Sequence, residues 1–283
     1  MKNKAGAIVR LVIWSVVLVL VTSLLVGELA GRPFQFNLFN ISITDQYLFN
    51  EGEYNRGGGK VDTLVDCLEI EWISGEVTVT SYEGETVLLE ETSGLSLDEQ
   101  LRWKVEDGTL KIFPRKPFRF MGVIDLPNKD LHVYLPQGMV PEELEITTVS
   151  GEIGLNQFSC AEAALKTVSG NIDIIGCDVT ALECESVSGD LDFNGNLQQL
   201  DWEGVSGNAE LTVAAMPGKI RADCVSGDIT VTMADGPGFT VETDTASGDF
   251  RCDFPLVNSR RYGDGSADYQ FESVSGNIYL KMH

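Results

Sequence analysis

The five residues Val168-Ser169-Gly170-Asn171-Ile172 show the pattern that decides the fold. This order of an apolar residue, Ser-Gly, a polar residue and an apolar residue occurs eight times in the 283-residue chain. The eight serines are Ser74, Ser150, Ser169, Ser188, Ser206, Ser226, Ser247 and Ser275. From Ser150 onward they are 19, 19, 18, 20, 21 and 28 residues apart, so the repeat is about 19 residues long. The first interval is 76 residues, four times 19, and we expect a degenerate copy at Thr92-Ser93-Gly94.

The residues on both sides of each Ser-Gly alternate between apolar and polar. When the serine is counted as zero, positions −6, −4, +3 and +5 are mostly apolar and position −2 is small, as in Leu144, Ile146, Thr148, Ile153 and Leu155. A period of two is typical of strands that bury one face. Each repeat therefore predicts a strand, a turn and a second strand, with the regular repeats at 144–283.

The Ser-Gly pairs are predicted to be structural turn residues. A type II turn requires a positive φ at its third residue, which glycine adopts without steric cost, and the polar residue after it can bond to local backbone groups. The pairs in the regular repeats are Ser150 and Gly151, Ser169 and Gly170, Ser188 and Gly189, Ser206 and Gly207, Ser226 and Gly227, Ser247 and Gly248, and Ser275 and Gly276.

Two all-β folds are compatible with this repeat. In a parallel β-solenoid, or β-helix, each unit of about 19 residues is one coil and equivalent residues stack in columns. In an antiparallel β-meander, each Ser-Gly closes a hairpin and position −2 faces position +3 across the strands. We favour the solenoid, because a column of small residues beside a glycine corner permits close stacking.

Charge and hydropathy predict a membrane segment near the N-terminus. The net charge is −23, which argues against nucleic-acid binding because phosphates would be repelled. Residues 1–10 carry +3, whereas residues 11–283 hold 17 basic and 43 acidic groups, a balance of −26. Between them lies the uncharged run Leu11 to Gly27, long enough for one transmembrane helix. The basic flank predicts a cytoplasmic N-terminus and an extracytoplasmic remainder. A cleaved signal peptide is the alternative to an anchor.

The predicted organisation has four parts along the chain. Residues 1–6 form a cytoplasmic stub, 7–29 a transmembrane signal-anchor, 30–60 a flexible tether or cap, and 61–283 the strand-repeat domain. Within the last part, Leu131 to Leu135 is predicted to be a strand with His132 at its surface.

Sites for chemistry are not evident in the sequence. The six cysteines form no CxxC motif and fall at different positions of the repeat, which favours buried thiols; Cys160 and Cys177 are the plausible pair. The polar residues after Ser-Gly include asparagines, which argues against a calcium ladder, and Asp264 and Asp268 are a weak metal candidate. No catalytic fingerprint occurs, so we expect no catalytic residues and no cofactor.

The repeats resemble those of the DUF4097 family of bacterial envelope proteins. The resemblance rests on the Val-Ser-Gly-Asp/Asn-Ile repeats, on the tail from Tyr262 to Ile278, and on Leu68 to Gly75 after a single membrane helix, and it covers about residues 61–283. It implies a β-strand-repeat domain, often anchored in a membrane and called an adhesin by analogy.

The sequence thus predicts a non-catalytic, membrane-anchored binding or scaffold module of the bacterial envelope. Its expected partners are the lipid bilayer, through the N-terminal helix, and an envelope protein or a glycan. One alternative is a regulatory envelope protein that binds a membrane partner. The other is a β-helix polysaccharide-active enzyme, which would need stacked carboxylates with a Lys or Arg on one face; Lys166, Arg221, Arg251 and Lys281 lie at different phases of the repeat, which disfavours it.

Overall fold

The computed structural model describes residues 53–114 and 128–283. Over these ranges the chain is all-β, and its 21 strands belong to one mixed sheet. No helix that could span a membrane occurs in these two ranges. The predicted stub, anchor and most of the tether lie outside them. The strands are β1 Asn55–Arg56, β2 Gly59–Val61, β3 Cys67–Glu71, β4 Ser74–Tyr82, β5 Val87–Glu91, β6 Arg102–Glu106, β7 Thr109–Phe113, β8 Leu131–Pro136, β9 Glu143–Thr148, β10 Ser150–Asn156, β11 Ser159–Ser169, β12 Ile172–Ser188, β13 Leu191–Ser206, β14 Ala209–Val213, β15 Lys219–Ser226, β16 Ile229–Met233, β17 Gly238–Ser247, β18 Phe250–Cys252, β19 Arg261–Gly263, β20 Ala267–Ser275 and β21 Ile278–Met282.

The repeats stack on one another through parallel strand pairs. Ser188 of β12 is in register with Ser206 of β13, which is in register with Ser226 of β15. The strands that follow the corners also pair in parallel, as β14 does with β16. The antiparallel meander is therefore wrong, because the strands on the two sides of a Ser-Gly, such as β11 and β12, pair in parallel one repeat apart and not antiparallel across the corner.

The predicted inward positions form the core. At position −4, Ile146, Leu165, Cys184 and Trp202 are all 0% exposed, and position −6 is buried in every regular repeat. The strands after the corners add their own buried residues, and both sets belong to one hydrophobic cluster. The sheet therefore curls at the corners so that its two halves share a core. Thr243, at position −4 of the repeat that contains Ser247, is exposed instead.

The C-terminal repeats do not stack in chain order. Ser226 of β15 is in register with Ser275 of β20, and Ser275 is in register with Ser247 of β17. The last repeat of the chain thus lies between the two repeats that precede it. The 28-residue interval between Ser247 and Ser275 contains β19, which pairs antiparallel with the start of β17. The chain thereby comes back to β17 before β20 begins.

The N-terminal end of the stack also departs from the expected order. Ser74 is in register with Ser150, so no repeat lies between them, and the degenerate copy at Thr92-Ser93-Gly94 is wrong. The intervening β7 and β8 pair with β3 and β4 on the side away from β9 and β10. Antiparallel strands β6 and β5 follow, and β1 and β2 pair with them. These strands cover an edge that a parallel stack would otherwise expose.

Candidate functional site

The corner glycines form a continuous column of close backbone contacts. A Cβ atom placed on Gly170, Gly189 or Gly207 would lie 2.0–2.2 Å from the carbonyl oxygen of the glycine in the neighbouring repeat. The φ angles of these three are 148–153°, far from the value near 80° of a type II turn. Gly151 is not among the glycines with positive φ. The predicted turn type is thus wrong, and the close approach of neighbouring repeats explains the glycines.

The polar residues after the glycines form a hydrogen-bonded ladder between repeats. In spatial order these residues are Asn171, Asp190, Asn208, Asp228, Asn277 and Asp249, and each side-chain oxygen accepts the backbone N–H of the next at 2.6–3.1 Å. The bonds therefore join neighbouring repeats, whereas local bonds were expected. Asparagine and aspartate alternate without a break, which keeps two carboxylates from being adjacent along the ladder.

The predicted metal candidates do not form a metal site in this structure. The Asp264 carboxylate accepts the backbone N–H of Ser266 at 2.9 Å, and hydrogen bonds from the Ser266 side chain and then from its backbone lower the pKa of Asp264. The Asp268 carboxylate accepts a hydrogen bond from Gln270 at 3.1 Å. Within the described ranges no group of three or more His, Cys, Asp or Glu side chains could hold a metal ion.

All six cysteines are free thiols in the structure. Cys160 is in register with Val179, and its Sγ lies 2.9 Å from the carbonyl oxygen of Glu162. Burial raises the pKa of Cys160 to about 12 and that of Cys224 to about 11. Such thiols are poor nucleophiles because the thiolate is scarce at neutral pH.

One outward surface of the sheet carries stacked carboxylates, and we call it the acidic face. It consists of the outward side chains of the strands that precede the corners. One column, in register across five neighbouring strands, reads Glu185, Glu203, Asp223, Glu272 and Asp244. Neighbouring strands are about 4.8 Å apart, so these carboxylates repel one another and would attract a cationic partner.

Two of the cations on the acidic face are ion-paired there, and the exposed Lys219 lies near Arg221 on the same side of β15. Lys166 Nζ is 3.0 Å from Glu185 Oε1, and Arg221 Nη2 is 2.7 Å from Asp223 Oδ2. The phases of Lys166 and Arg221 in the repeat differ, as the sequence indicates, but both phases face outward on the same side, whereas Arg251 and Lys281 lie on β18 and β21, which follow corners. Burial raises the pKa of Glu185 and of Glu203.

Glu71 is the most strongly perturbed carboxyl group of the same face. Burial, and then the charge of Glu145, raise the pKa of Glu71 to about 7. Its Oε2 atom is buried and has no hydrogen-bond partner among the described residues. Glu71 therefore titrates near neutral pH.

One outward row of residues carries no charge across seven strands, and we call it the uncharged strip; the outward row two residues earlier carries Asp173, Asp192 and Glu210. The strip runs in register through Tyr134, Thr80, Asn156, Ile175, Asn194, Thr212 and Thr232. It ends at Lys281 beyond Thr232, and Leu88 is in register with Tyr134 at the other end. Six strand spacings make it roughly 29 Å long.

Aromatic side chains mark the β8 end of the uncharged strip. The ring centroids of Tyr134 and Tyr82 are 5.8 Å apart, and those of Tyr134 and His132 are 6.5 Å apart. Thr78 Oγ1 lies 2.5 Å from His132 Nδ1, which holds the imidazole beside the tyrosine ring. Burial and the nearby Glu90 carboxylate raise the pKa of Tyr134, so its hydroxyl stays protonated at neutral pH.

A cavity of about 500 Å³ opens beside this aromatic end. Glu90 connects the two, because it is in register with His132 and also lines the cavity. The other polar groups of the lining include Arg56, Thr92, Ser93 and Gln100. The predicted degenerate turn at Thr92 to Gly94 thus contributes to a cavity wall.

A buried ion pair holds the loop that forms this wall. Lys129 Nζ is 2.7 Å from Glu91 Oε2 and donates to the carbonyl oxygen of Glu99, while lying 4.9 Å from the ring centroid of Trp72. The Glu91 carboxylate also accepts the backbone N–H of Leu101. The loop is therefore fixed at both ends by charge-assisted hydrogen bonds.

The model of the Toastrack DUF4097 family matches residues 60–281, which include every corner described above. The chain belongs to this family. The match confirms the resemblance seen in the repeats.

Several solved structures are similar to this DUF4097 chain. They include a putative adhesin from Bacteroides fragilis, with 13% identity and a TM-score of 0.44, covering 80% of this chain and 96% of its own. A putative lipid binding protein from Parabacteroides distasonis has 15% identity and a TM-score of 0.43, with coverages of 81% and 97%. A putative cell adhesion protein from Clostridium sporogenes has 13% identity and a TM-score of 0.36, with coverages of 81% and 100%. These TM-scores are low, so the similarities support no conclusion about ligands. No curated protein matches the chain.

The two surfaces of the candidate site were not predicted from the sequence, although a signal for each is present. Position +6 after the first six of the eight serines reads Thr80, Asn156, Ile175, Asn194, Thr212 and Thr232, without a charge, whereas it is charged after Ser247 and Ser275. Tyr134 joins that row only through the pairing of β8 with β4. No repeat period places β8 there, which is why the aromatic end was missed.

Proposed function

We propose that this DUF4097 chain is a single-pass membrane protein whose extracytoplasmic β-solenoid is a non-catalytic binding or scaffold module of the bacterial envelope. The proposal rests chiefly on the outward side chains, which form continuous rows in register over many strands. An array of that kind suits an extended partner better than a small substrate. The uncharged run Leu11 to Gly27 and its basic flank support the anchor and the orientation.

The experiment has two steps in cells that carry a C-terminal epitope tag. A protease is added outside spheroplasts, and the tag should be lost while a cytoplasmic marker survives. A membrane-impermeant crosslinker is then applied to intact cells, and the products are identified by mass spectrometry. A tag that resists the protease until the membrane is lysed would contradict the proposed topology.

A regulatory envelope protein is the second candidate, and the acidic face favours it. A basic surface on a neighbouring membrane protein would bind to the carboxylate column that contains Glu203 and Asp223. Charge reversal at both residues should abolish capture of such a partner from solubilised membranes. A scaffold that uses another surface would retain its partner in the same experiment.

An enzymatic role is disfavoured by the ion pairing of two of the cations on the acidic face. Lys166 and Arg221 are each ion-paired with a carboxylate of the same face. We therefore expect no turnover when the protein is incubated with envelope polysaccharides. Cleavage that is lost in Glu185→Gln would overturn this part of the proposal.

A further inference from the structure

We propose that the uncharged strip, together with the cavity at its aromatic end, is a binding site for a neutral, extended glycan. The inference rests on the proposed binding function and adds the chemical class of the ligand. It also assigns the ligand to one surface of the domain.

The distribution of charge selects a neutral ligand. The chain carries −23, yet the strip crosses seven strands without a charged side chain. An anionic polymer would be repelled by the domain as a whole, and a cationic one would bind more strongly to the acidic face. A neutral ligand is not repelled electrostatically on the strip, and it is not attracted by the carboxylates of the acidic face.

The polar groups of the strip match the hydroxyl groups of sugars. The asparagine amides both donate and accept hydrogen bonds, and each threonine hydroxyl does the same. These groups recur at the spacing of neighbouring strands, so the strip presents hydrogen-bond donors and acceptors repeatedly along one line. A polymer of similar units can use such a row, whereas a compact ligand would contact only one or two members.

The apolar groups fit the C–H faces of sugar rings. Tyr134 lies beside Leu88 at one end, and Ile175 in the middle of the strip is 55% exposed. Large apolar side chains this exposed are few among the described residues. Burial of the Tyr134 and Ile175 surfaces against a sugar ring would favour binding.

The cavity provides an end for the site. It is a solvent-open depression of about 500 Å³. Arg56, Glu90 and Gln100 supply donors and acceptors within it. We infer that the terminal unit of the glycan enters this cavity while the following units lie along the strip.

Calorimetric titration of the full-length protein in lipid nanodiscs tests the inference, since sugar-based detergents would compete. The probes are cellohexaose and chitohexaose, both neutral, with hexagalacturonate as the anionic comparison. We expect at least one neutral hexasaccharide to bind and hexagalacturonate not to bind. Tyr134→Ala should weaken binding about tenfold, the loss that corresponds to about 1.4 kcal/mol.

Two variants separate the role of the ring from a general loss of structure. Tyr134→Phe keeps the ring and should bind nearly as well as the unchanged protein. Tyr279→Ala is the matched control, because Tyr279 is an outward, half-buried tyrosine on β21, outside the strip. Far-UV circular dichroism checks that each variant is folded.

The inference is overturned if neither neutral probe binds, if hexagalacturonate binds as well as they do, or if Tyr134→Ala and Tyr279→Ala have equal effects. Any of these results would leave the proposed binding module intact, because its own test is crosslinking in cells. If crosslinking in cells finds no partner but the titration succeeds, the envelope role is contradicted and the glycan site is supported.

Discussion

Alanine at a corner glycine should destabilise the domain far more than alanine at another glycine of positive φ that lies in open space. In Gly207→Ala the new Cβ would lie 2.1 Å from the carbonyl oxygen of Gly189. The two repeats would have to separate by about 1 Å at the corner for ordinary contact. That movement weakens the bond from the Gly189 N–H to the Ser206 oxygen, now 3.1 Å long.

The magnitude follows from three contributions. The backbone conformation of Gly207 costs an alanine about 1 kcal/mol, the overpacked contact about 2 kcal/mol, and the weakened backbone bond about 1 kcal/mol. The expected loss is about 4 kcal/mol, a large part of the stability of an ordinary domain. Two controls separate these causes. Gly138 has a φ of +83° and open space around it, so Gly138→Ala should cost about 1 kcal/mol. Gly59 has neither constraint, so Gly59→Ala should change stability by less than about 0.5 kcal/mol.

Urea unfolding followed by far-UV circular dichroism measures all three variants. Tryptophan fluorescence, to which the fully buried Trp202 contributes, provides a second probe of unfolding. If Gly207→Ala were no worse than Gly138→Ala, the close stacking of the corners would be refuted.

Three further predictions concern the order and the charge of the stack. Asn277→Asp places three carboxylates in succession in the corner ladder, and should lower the free energy of unfolding by about 1 kcal/mol at pH 7 but not at pH 3 in urea titrations. Glu71→Gln should be more stable than the unchanged protein at pH 8, by up to about 3 kcal/mol, because a carboxyl whose pKa is raised to about 7 lowers the free energy of unfolding when it ionises. This difference in stability should shrink as the pH falls from 7 towards 4.5. A difference that stays constant with pH would contradict the prediction. Cysteines replacing Ser226 and Ser275 should form a disulfide on mild oxidation, whereas cysteines replacing Ser226 and Ser247 should not, and gel mobility under non-reducing conditions distinguishes the two pairs.

The repeat predicts what is periodic in the molecule and little else. Columns such as that of Ile146 and Leu165 follow from alternation and spacing alone, because parallel stacking places equivalent positions side by side. The order of the stack does not follow, because nothing local in β17 or β20 says which of them pairs with β15. The ladder contains a clue: in chain order Asp228 and Asp249 would be neighbours, and the placement of Asn277 between them removes that repulsion.

The candidate site was less predictable than the core. Threonine and asparagine at position +6 could be read from the sequence as a row without charge. The aromatic end depends on β8, which reaches the stack after a long excursion of the chain, and the cavity depends on a loop held by Lys129 and Glu91. Those two side chains are 38 residues apart and show no pattern that links them.

A photo-crosslinking amino acid placed at Thr80 or at Glu203 in living cells tests the central claim most directly, because the first position lies on the uncharged strip and the second on the acidic face. We expect carbohydrate-containing adducts from Thr80, released by treatment with glycosidases, and none from Glu203. Carbohydrate adducts from Glu203 alone, or from neither position, would contradict it.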